Sequence, residues 1–308
     1  MDWKKVEEQI AQDNQNKWYW TTDGQHLRVL ETGKLQVSNG NGSDCHVLSD
    51  LATSQMCQKL DIPVKYYRRL PDEMKAYVAN YDLNRLNDNS FLLRGKGDWV
   101  RAFLSAEYVA YNNSEIAETV QGLLGKAAVS VKTFVLEEIH MFLKIVSEEI
   151  VETEYGLKAG IMIGNSEVGL GSVSVEPFVF RKPCTNDLIV AREKSFSHAH
   201  IHLTAFELTR RIAGAISEGF RLASSILERF LKAREDPIED PVETIRRLAE
   251  ARKFSQKFTD EVASCYSAEP EPNRFGLINA FTRAAQGLAP LQRIEMERFA
   301  GTLLECSL

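Results

Sequence analysis

Val173, Val175, Pro177 and Val179 alternate with Ser174, Glu176, Phe178 and Phe180, and this period of two predicts a strand over Val173–Phe180. Further β-runs are predicted at Val129–Leu136, Met141–Val146 and Lys158–Ile163, and "FLLRGKGDWVRAFLS" reads as a hairpin about a Gly95–Gly97 turn. Strands so closely spaced, with no crossover helix between them, pair antiparallel. Upstream, "DWKKVEEQIAQDNQN" is a short amphipathic helix, and "WYWTTDGQHLRVLETGKLQVS" reads as strands turning at Asp23-Gly24 and Thr32-Gly33. Helices are predicted over Ser49–Leu60, Val64–Arg69 and from Pro71 to near Leu86, with a break at Asp61-Ile62-Pro63. "SEIAETVQGLLG" is another helix, with Ser114 as its cap.

After Leu203 the period becomes helical. Thr204 caps a long helix in which Phe206, Ile212, Ile216, Phe220, Leu227 and Leu231 recur at helical spacing. Asp240-Pro241 starts "VETIRRLAEARKFSQKFTDEVASCYS" as one helix, and "NAFTRAAQG" and "LAPLQRIEMERFAGTLLECSL" are two more. The fold class this implies is α+β, an antiparallel β-sheet domain with inserted helices followed by an all-helical C-terminal region. Three pieces are expected: an N-terminal helix and small β-region over 1–47, the sheet domain over 48–202 and the helical region over 203–308. The heptad-like apolar spacing of the tail suits a homo-oligomer.

Composition narrows the function classes. A net charge of −6 argues against coating nucleic acid by bulk electrostatics, although Arg181 to Arg234 is a basic stretch and Leu136 to Tyr155 an acidic one. The apolar runs fall short of the roughly 18–20 residues that span a bilayer, and the first thirty residues do not read as a signal peptide. The five cysteines, Cys45, Cys57, Cys184, Cys265 and Cys306, form no C-x-x-C, which fits a reducing cytoplasm better than a disulfide framework.

"IMIGNSEVGLGSVSVEPFVFRKPCTND", with its three glycines, invites comparison with a phosphate-cradling loop. Such a loop needs its glycines between a strand and the start of a helix. Here β-patterned sequence follows, Pro177 bars a helix interior, and the Lys-Ser/Thr of a P-loop is absent. Ser166 and Ser172 also lack the G-x-S-x-G context of a nucleophile elbow. The segment is therefore expected to connect two strands. "NSEVGLGSVSVEPFVFRKPCTNDLIV", together with "RAFLSAEYVAYNNSEI", "LDIPVKYYRRLP" and "NAFTRAAQ", resembles the phage/plasmid-like domain-of-unknown-function family, from about Leu48 to Gly287. Cys184-Thr185-Asn186 matches that family's C-x-N hallmark, with Asp187 where a glycine often follows. The resemblance implies a protein of phages, plasmids or other mobile elements that handles DNA.

The candidate chemistry is sparse. "LLRGKGDWVRAF" interleaves Arg94, Lys96, Trp99 and Arg101, and "VKYYRRL" interleaves Lys65, Tyr66, Arg68 and Arg69. Aromatic rings beside cations are what single-stranded nucleic acid needs, and Arg181, Lys182 and Arg192 extend the same expected groove. The helices before Leu86 also resemble a helix-turn-helix faintly. His198, His200 and His202 alternate, so a strand would point all three to one face, as a divalent metal site requires. Cys184 as a nucleophile, and Glu148, Glu149, Glu152 and Glu154 as magnesium ligands, are weaker possibilities than a buried thiol and a solvated acidic hairpin end. No catalytic residue and no cofactor are expected. The leading expectation is single-stranded DNA binding for annealing, recombination or protection. The alternatives are a metal-dependent enzyme using the three histidines and a partner-binding module of a phage, such as an inhibitor of a host defence protein.

Overall fold

The computed structural model describes residues 2–39, 42–124, 129–148, 156–181, 186–189 and 196–305. Asp2 caps α1 (Trp3–Asn14), which leads into β1 (Lys17–Asp23). A single 3-10 turn at Gly24–His26 then passes the chain to β2 (Leu27–Val29), β3 (Lys34–Asn39) and β4 (Gly42–Leu48). Three helices follow, α2 (Asp50–Lys59), α3 (Val64–Tyr67) and α4 (Asp72–Arg85), and then the hairpin of β5 (Ser90–Lys96) and β6 (Trp99–Ser105). These six strands form one sheet in the order β1-β5-β6-β4-β3-β2. Because β1 pairs with β5, residues 1–47 and the start of 48–202 share a layer rather than standing apart.

Pairing in this sheet is antiparallel except between β4 and β6, which run parallel. Between them the chain makes the long crossover through α2, α3, α4 and β5 that a parallel pair demands. The two edge strands, β1 and β2, are consecutive in sequence, so the sheet curls toward closure and stops short of it. Its concave side holds Leu35, Val37, Leu93, Val100 and Phe103 against Met56, Ala79 and Leu83 of the helices. α3 is a single turn with Tyr67 buried, too short to serve as the recognition helix of a helix-turn-helix.

The second sheet contains β7 (Val129–Leu136), β8 (Met141–Ser147), β9 (Leu157–Asn165), β10 (Val173–Arg181), β11 (Asn186–Ile189) and β12 (Phe196–His198). It is antiparallel throughout, in the order β11-β10-β9-β8-β7, with β12 also on β10. α5 precedes it and starts at Asn113, one residue before the expected cap; Glu115 reaches back to accept from the Asn112 N–H. β10 is buried from Val173 to Phe180, because both faces of the sheet are covered. Its Pro177 lies between the residues paired to β12 and those paired to β11, so its missing N–H removes no bond from either of those ladders.

Five helices complete the fold: α6 (Ala205–Lys232), α7 (Pro241–Arg252), α8 (Gln256–Ala268), α9 (Arg274–Ala284) and α10 (Pro290–Thr302). Thr204 and Glu207 cap α6 reciprocally. Leu208, Ile212, Ile216, Ala223, Ile226 and Phe230 lie along one stripe of α6 and are buried within the same chain, against the second sheet and its neighbouring helices. The stripe that suggested an oligomer is thus covered internally, although Phe206 stays 76% exposed. The helix expected after Pro241 is two, because Lys253 turns left-handed at φ 56° and Ser255 caps a new start. α10 lies on the opposite face of the sheet, where Ile294 joins Phe142, Met162 and Phe178.

The packing of Trp18 on the first sheet depends on a glycine. Trp18 lies over Gly95, and a Cβ there would sit 2.1 Å from the indole ring. Gly95→Ala is therefore expected to displace Trp18, costing about 1–3 kcal/mol. Urea denaturation and tryptophan emission measure this, and an unchanged midpoint and spectrum would contradict the contact.

Candidate functional site

The two arginines expected to line a nucleic-acid groove are internal: Arg94 is 2% exposed and Arg101 6%. The cause is Glu167, 3% exposed, in the connection between β9 and β10. Its Oε2 lies 2.7 Å from Lys17 Nζ and 3.2 Å from Arg101 Nη1, and its Oε1 accepts from the Asn113 N–H at 2.9 Å. Arg101 also grips Glu138, and Arg94 donates to Asn112 Oδ1. Burial would raise the Glu167 carboxyl, but Lys17, Arg94 and the Asn113 N–H outweigh it and hold the group below the usual carboxylate range. These cations join the two sheets. A groove through Arg94 and Arg101 would need them at the surface, and the carboxylate holds them away from it.

The remaining expected residues are dispersed. Lys96 pairs with Asp13 at 3.0 Å beside an exposed Trp99, and Arg181 Nη1 reaches Glu269 at 3.2 Å. Lys65, Tyr66, Arg68 and Arg69 are exposed around α3, with Arg68 Nη2 3.0 Å from Ser54 Oγ. Glu148 accepts from Lys158 at 2.6 Å. Lys182, Cys184, Arg192, Glu149, Glu152 and Glu154 lie outside the described residues.

The three histidines do not converge. β12 ends at His198, whose Nδ1 bonds the neighbouring Ala199 carbonyl, and His202 sits beyond the strand at φ 62°. His200 turns inward, stacks on Tyr108 at 4.8 Å and bonds through Nδ1 to the Val109 carbonyl at 3.2 Å. Among the described residues, no three His, Cys, Asp or Glu side chains gather as a metal site needs. The strand geometry that would have aligned the rings ends too early.

One concave feature that the fold builds is a groove along the seam of the curled sheet. Between α4 and β2 it is about 780 Å³, bordered by Arg28, Glu31, Met74, Tyr77, Asn80 and Tyr81. It continues through about 470 Å³ past Gln25, Gln36 and Asn84, sharing Arg28 and Asn80. From there it runs on, sharing His26 and Ser38, into about 650 Å³ beside Tyr19, Trp20 and Thr22 of β1. Asn80 clamps the short edge strand, donating to the Val29 carbonyl and accepting its N–H, both at 2.8 Å. Tyr77 and Tyr81 stand one turn apart on α4, 68% and 65% exposed. Charge along the α4 end is nearly balanced, with Arg28 against Glu31 and Glu73.

Sequence reasoning missed this groove. A signal was present: Met74, Tyr77 and Tyr81 fall on the face of α4 opposite the buried Ala76, Ala79 and Leu83, an aromatic stripe with no core to join. The elements define an α+β protein of two sheets whose first sheet leaves a polar, aromatic-lined groove at its seam. No protein-family model, curated protein or solved structure matches the chain. Among the described residues, no helix is long and apolar enough to cross a membrane.

The buried junction titrates. Burial first, and then the positive field of Arg94, push His200 down to about 4. A depressed histidine stabilises the fold while neutral, so its contribution is whole above pH 6.5 and is lost as pH falls toward 4. At about 1.4 kcal/mol per pH unit the loss is on the order of 3 kcal/mol. His200→Gln should lose less stability than the native chain between pH 7 and pH 4.5 in urea titrations. An equal loss in both would mean that His200 does not titrate in this window.

Proposed function

We propose that this protein is a non-catalytic module that holds single-stranded nucleic acid along the seam of its curled sheet. The observation that carries the reading is the pair Tyr77 and Tyr81, exposed side by side over a groove that also offers Trp20, His26, Arg28 and Asn84. A strand with unpaired bases can stack on such rings, each base adding about 1–3 kcal/mol, while amide and imidazole groups meet base edges. Exposed Lys65 and Tyr66 on α3, and Arg69 just after it, provide a further ring and two cations. We take DNA as the natural strand, in annealing, recombination or protection.

This interface differs in kind from a basic channel. Arg28 is opposed by Glu31 and Glu73, so stacking rather than phosphate neutralisation supplies the affinity. Binding should then weaken only shallowly with salt, by a slope corresponding to about one phosphate. The same acids and the exposed Met74 favour a second reading, an extended peptide of a protein partner, because Tyr, Met and Arg together are interface chemistry.

Titration of labelled single-stranded DNA, single-stranded RNA and duplex at two salt concentrations tests this. The native chain is expected to prefer single strands, and a Tyr77→Ala, Tyr81→Ala double variant to bind about 10–100-fold more weakly with its fold intact. No binding of any strand at low salt would reject the nucleic-acid reading and leave the peptide. Binding that the double variant retains, with a steep salt slope, would move the site away from the seam.

A further inference from the structure

A second concavity lies on the α10 side of the second sheet, far smaller than the groove at about 230 Å³. That is below the usual range for drug-sized ligands and suits a single ring. Two glycines make the space. A Cβ on Gly164 would come within 2.9 Å of Ser174 Oγ, and one on Gly171 within 3.3 Å of Ser166 and 3.5 Å of the His140 ring. The glycine-rich segment between β9 and β10 is therefore the lip of a cleft as well as a connection between strands.

The cleft is built from a neutralised ion pair. Glu176 has no exposed surface, and Arg298 of α10 donates to both of its oxygens, from Nε at 2.9 Å and from Nη2 at 2.6 Å. Ser174 Oγ adds a third donor at 3.0 Å. The carboxylate accepts three hydrogen bonds and its charge is matched by the guanidinium, so the rim presents the remaining Arg298 donors without net charge. The hydroxyls of Ser172 and Ser197 add groups that both donate and accept. One wall is a stack of flat rings, His140 on Phe142, with centroids 5.7 Å apart and 26° between planes. Burial first holds the His140 imidazole below its usual pKa, and Arg298 pushes the same way, so the wall is uncharged near neutral pH.

A ligand matched to these surfaces is flat, uncharged, about one ring in size and edged with both donors and acceptors. A dianion would meet the Glu176 carboxylate, and an aliphatic group would leave the polar rim without partners. We propose that this cleft binds a nucleobase, stacked on His140 and read at its edge by Arg298, Ser172 and Ser197. The mode is that of proteins which take an unstacked base into a pocket and read it by stacking and edge hydrogen bonds. The site is separate from the seam groove and its test does not depend on that reading.

The experiment uses free adenosine, guanosine, cytidine and thymidine, added singly to the full chain and followed by calorimetry and by the His140 ring resonances. Ser197→Phe and Ser172→Phe fill the cleft from its exposed rim without touching the core, and thermal denaturation checks that both fold. At least one nucleoside is expected to bind and shift the His140 signals, with affinity reduced about tenfold or more in both variants. The Tyr77→Ala, Tyr81→Ala chain is expected to bind the same nucleoside unchanged. The proposal is overturned if no nucleoside binds, if the rim variants bind as the native chain does, or if inorganic phosphate or glycine alone moves the His140 signals. Loss of nucleoside binding in the tyrosine variant would also overturn it, by placing the base in the seam groove.

Discussion

A carboxylate removed from water stays ionised only where cations and N–H donors come to it. Glu167 draws Lys17 from β1, Arg101 from β6 and the Asn113 N–H from α5, with Arg94 of β5 close enough to stabilise its charge. Those contacts span both sheets and the helix between them. The curl of the first sheet, the approach of the β9–β10 connection and the inward turn of His200 onto Tyr108 all meet at this junction. Replacing the carboxylate alone would leave Lys17 with Asp13 and Arg101 with Glu138, but it would remove the contact that joins them across the layers and the charge that faces Arg94.

The far side of the second sheet repeats the device. Lys144 Nζ lies 2.6 Å from both Asp187 and Glu297, Arg293 Nε is 2.8 Å from Glu297, and Arg298 holds Glu176. α10 thus carries an apolar contact through Ile294 and a charged one along the same helix. Buried ion pairs contribute little net stability against well-packed apolar side chains, but they specify register, since a one-turn slip of α10 would leave several charges unpaired. At both layer contacts most internal charges are paired locally, and the two concave surfaces proposed to bind are close to neutral. This is why both proposed binding surfaces rely on flat rings and hydrogen bonds rather than on a field.

The α+β division, most element positions and their caps were legible along the chain. Alternation over Val173–Phe180, the β5–β6 hairpin (its turn at Gly97-Asp98, with Gly95 inside β5 rather than in the turn), the Thr204 cap and the Asp240-Pro241 start are local features, and local sterics and hydrogen bonds act within a few residues wherever the segment ends up. The parallel pairing of β4 with β6 was not legible, nor the joining of β1 to β5, because these depend on which distant strand completes the sheet. The split at Lys253 was missed because a left-handed lysine carries no glycine signal.

The site residues divide in the same way. Arg94, Trp99 and Arg101 formed a sound local pattern for nucleic acid, and the chain by itself determined that basic and aromatic side chains alternate on that hairpin. Only the tertiary structure decided that Arg94 and Arg101 face inward, because it alone places Glu167, far along the chain, opposite them. The seam groove is likewise a product of long-range closure: Tyr77 and Tyr81 are plain in the sequence, but their partners Arg28, Gln36 and Trp20 come from three separate strands. Backbone preference and periodicity act over a turn or a strand, so sequence settles the elements. Burial and charge pairing act across the whole fold, so the exposure of each cation is settled only when the layers meet.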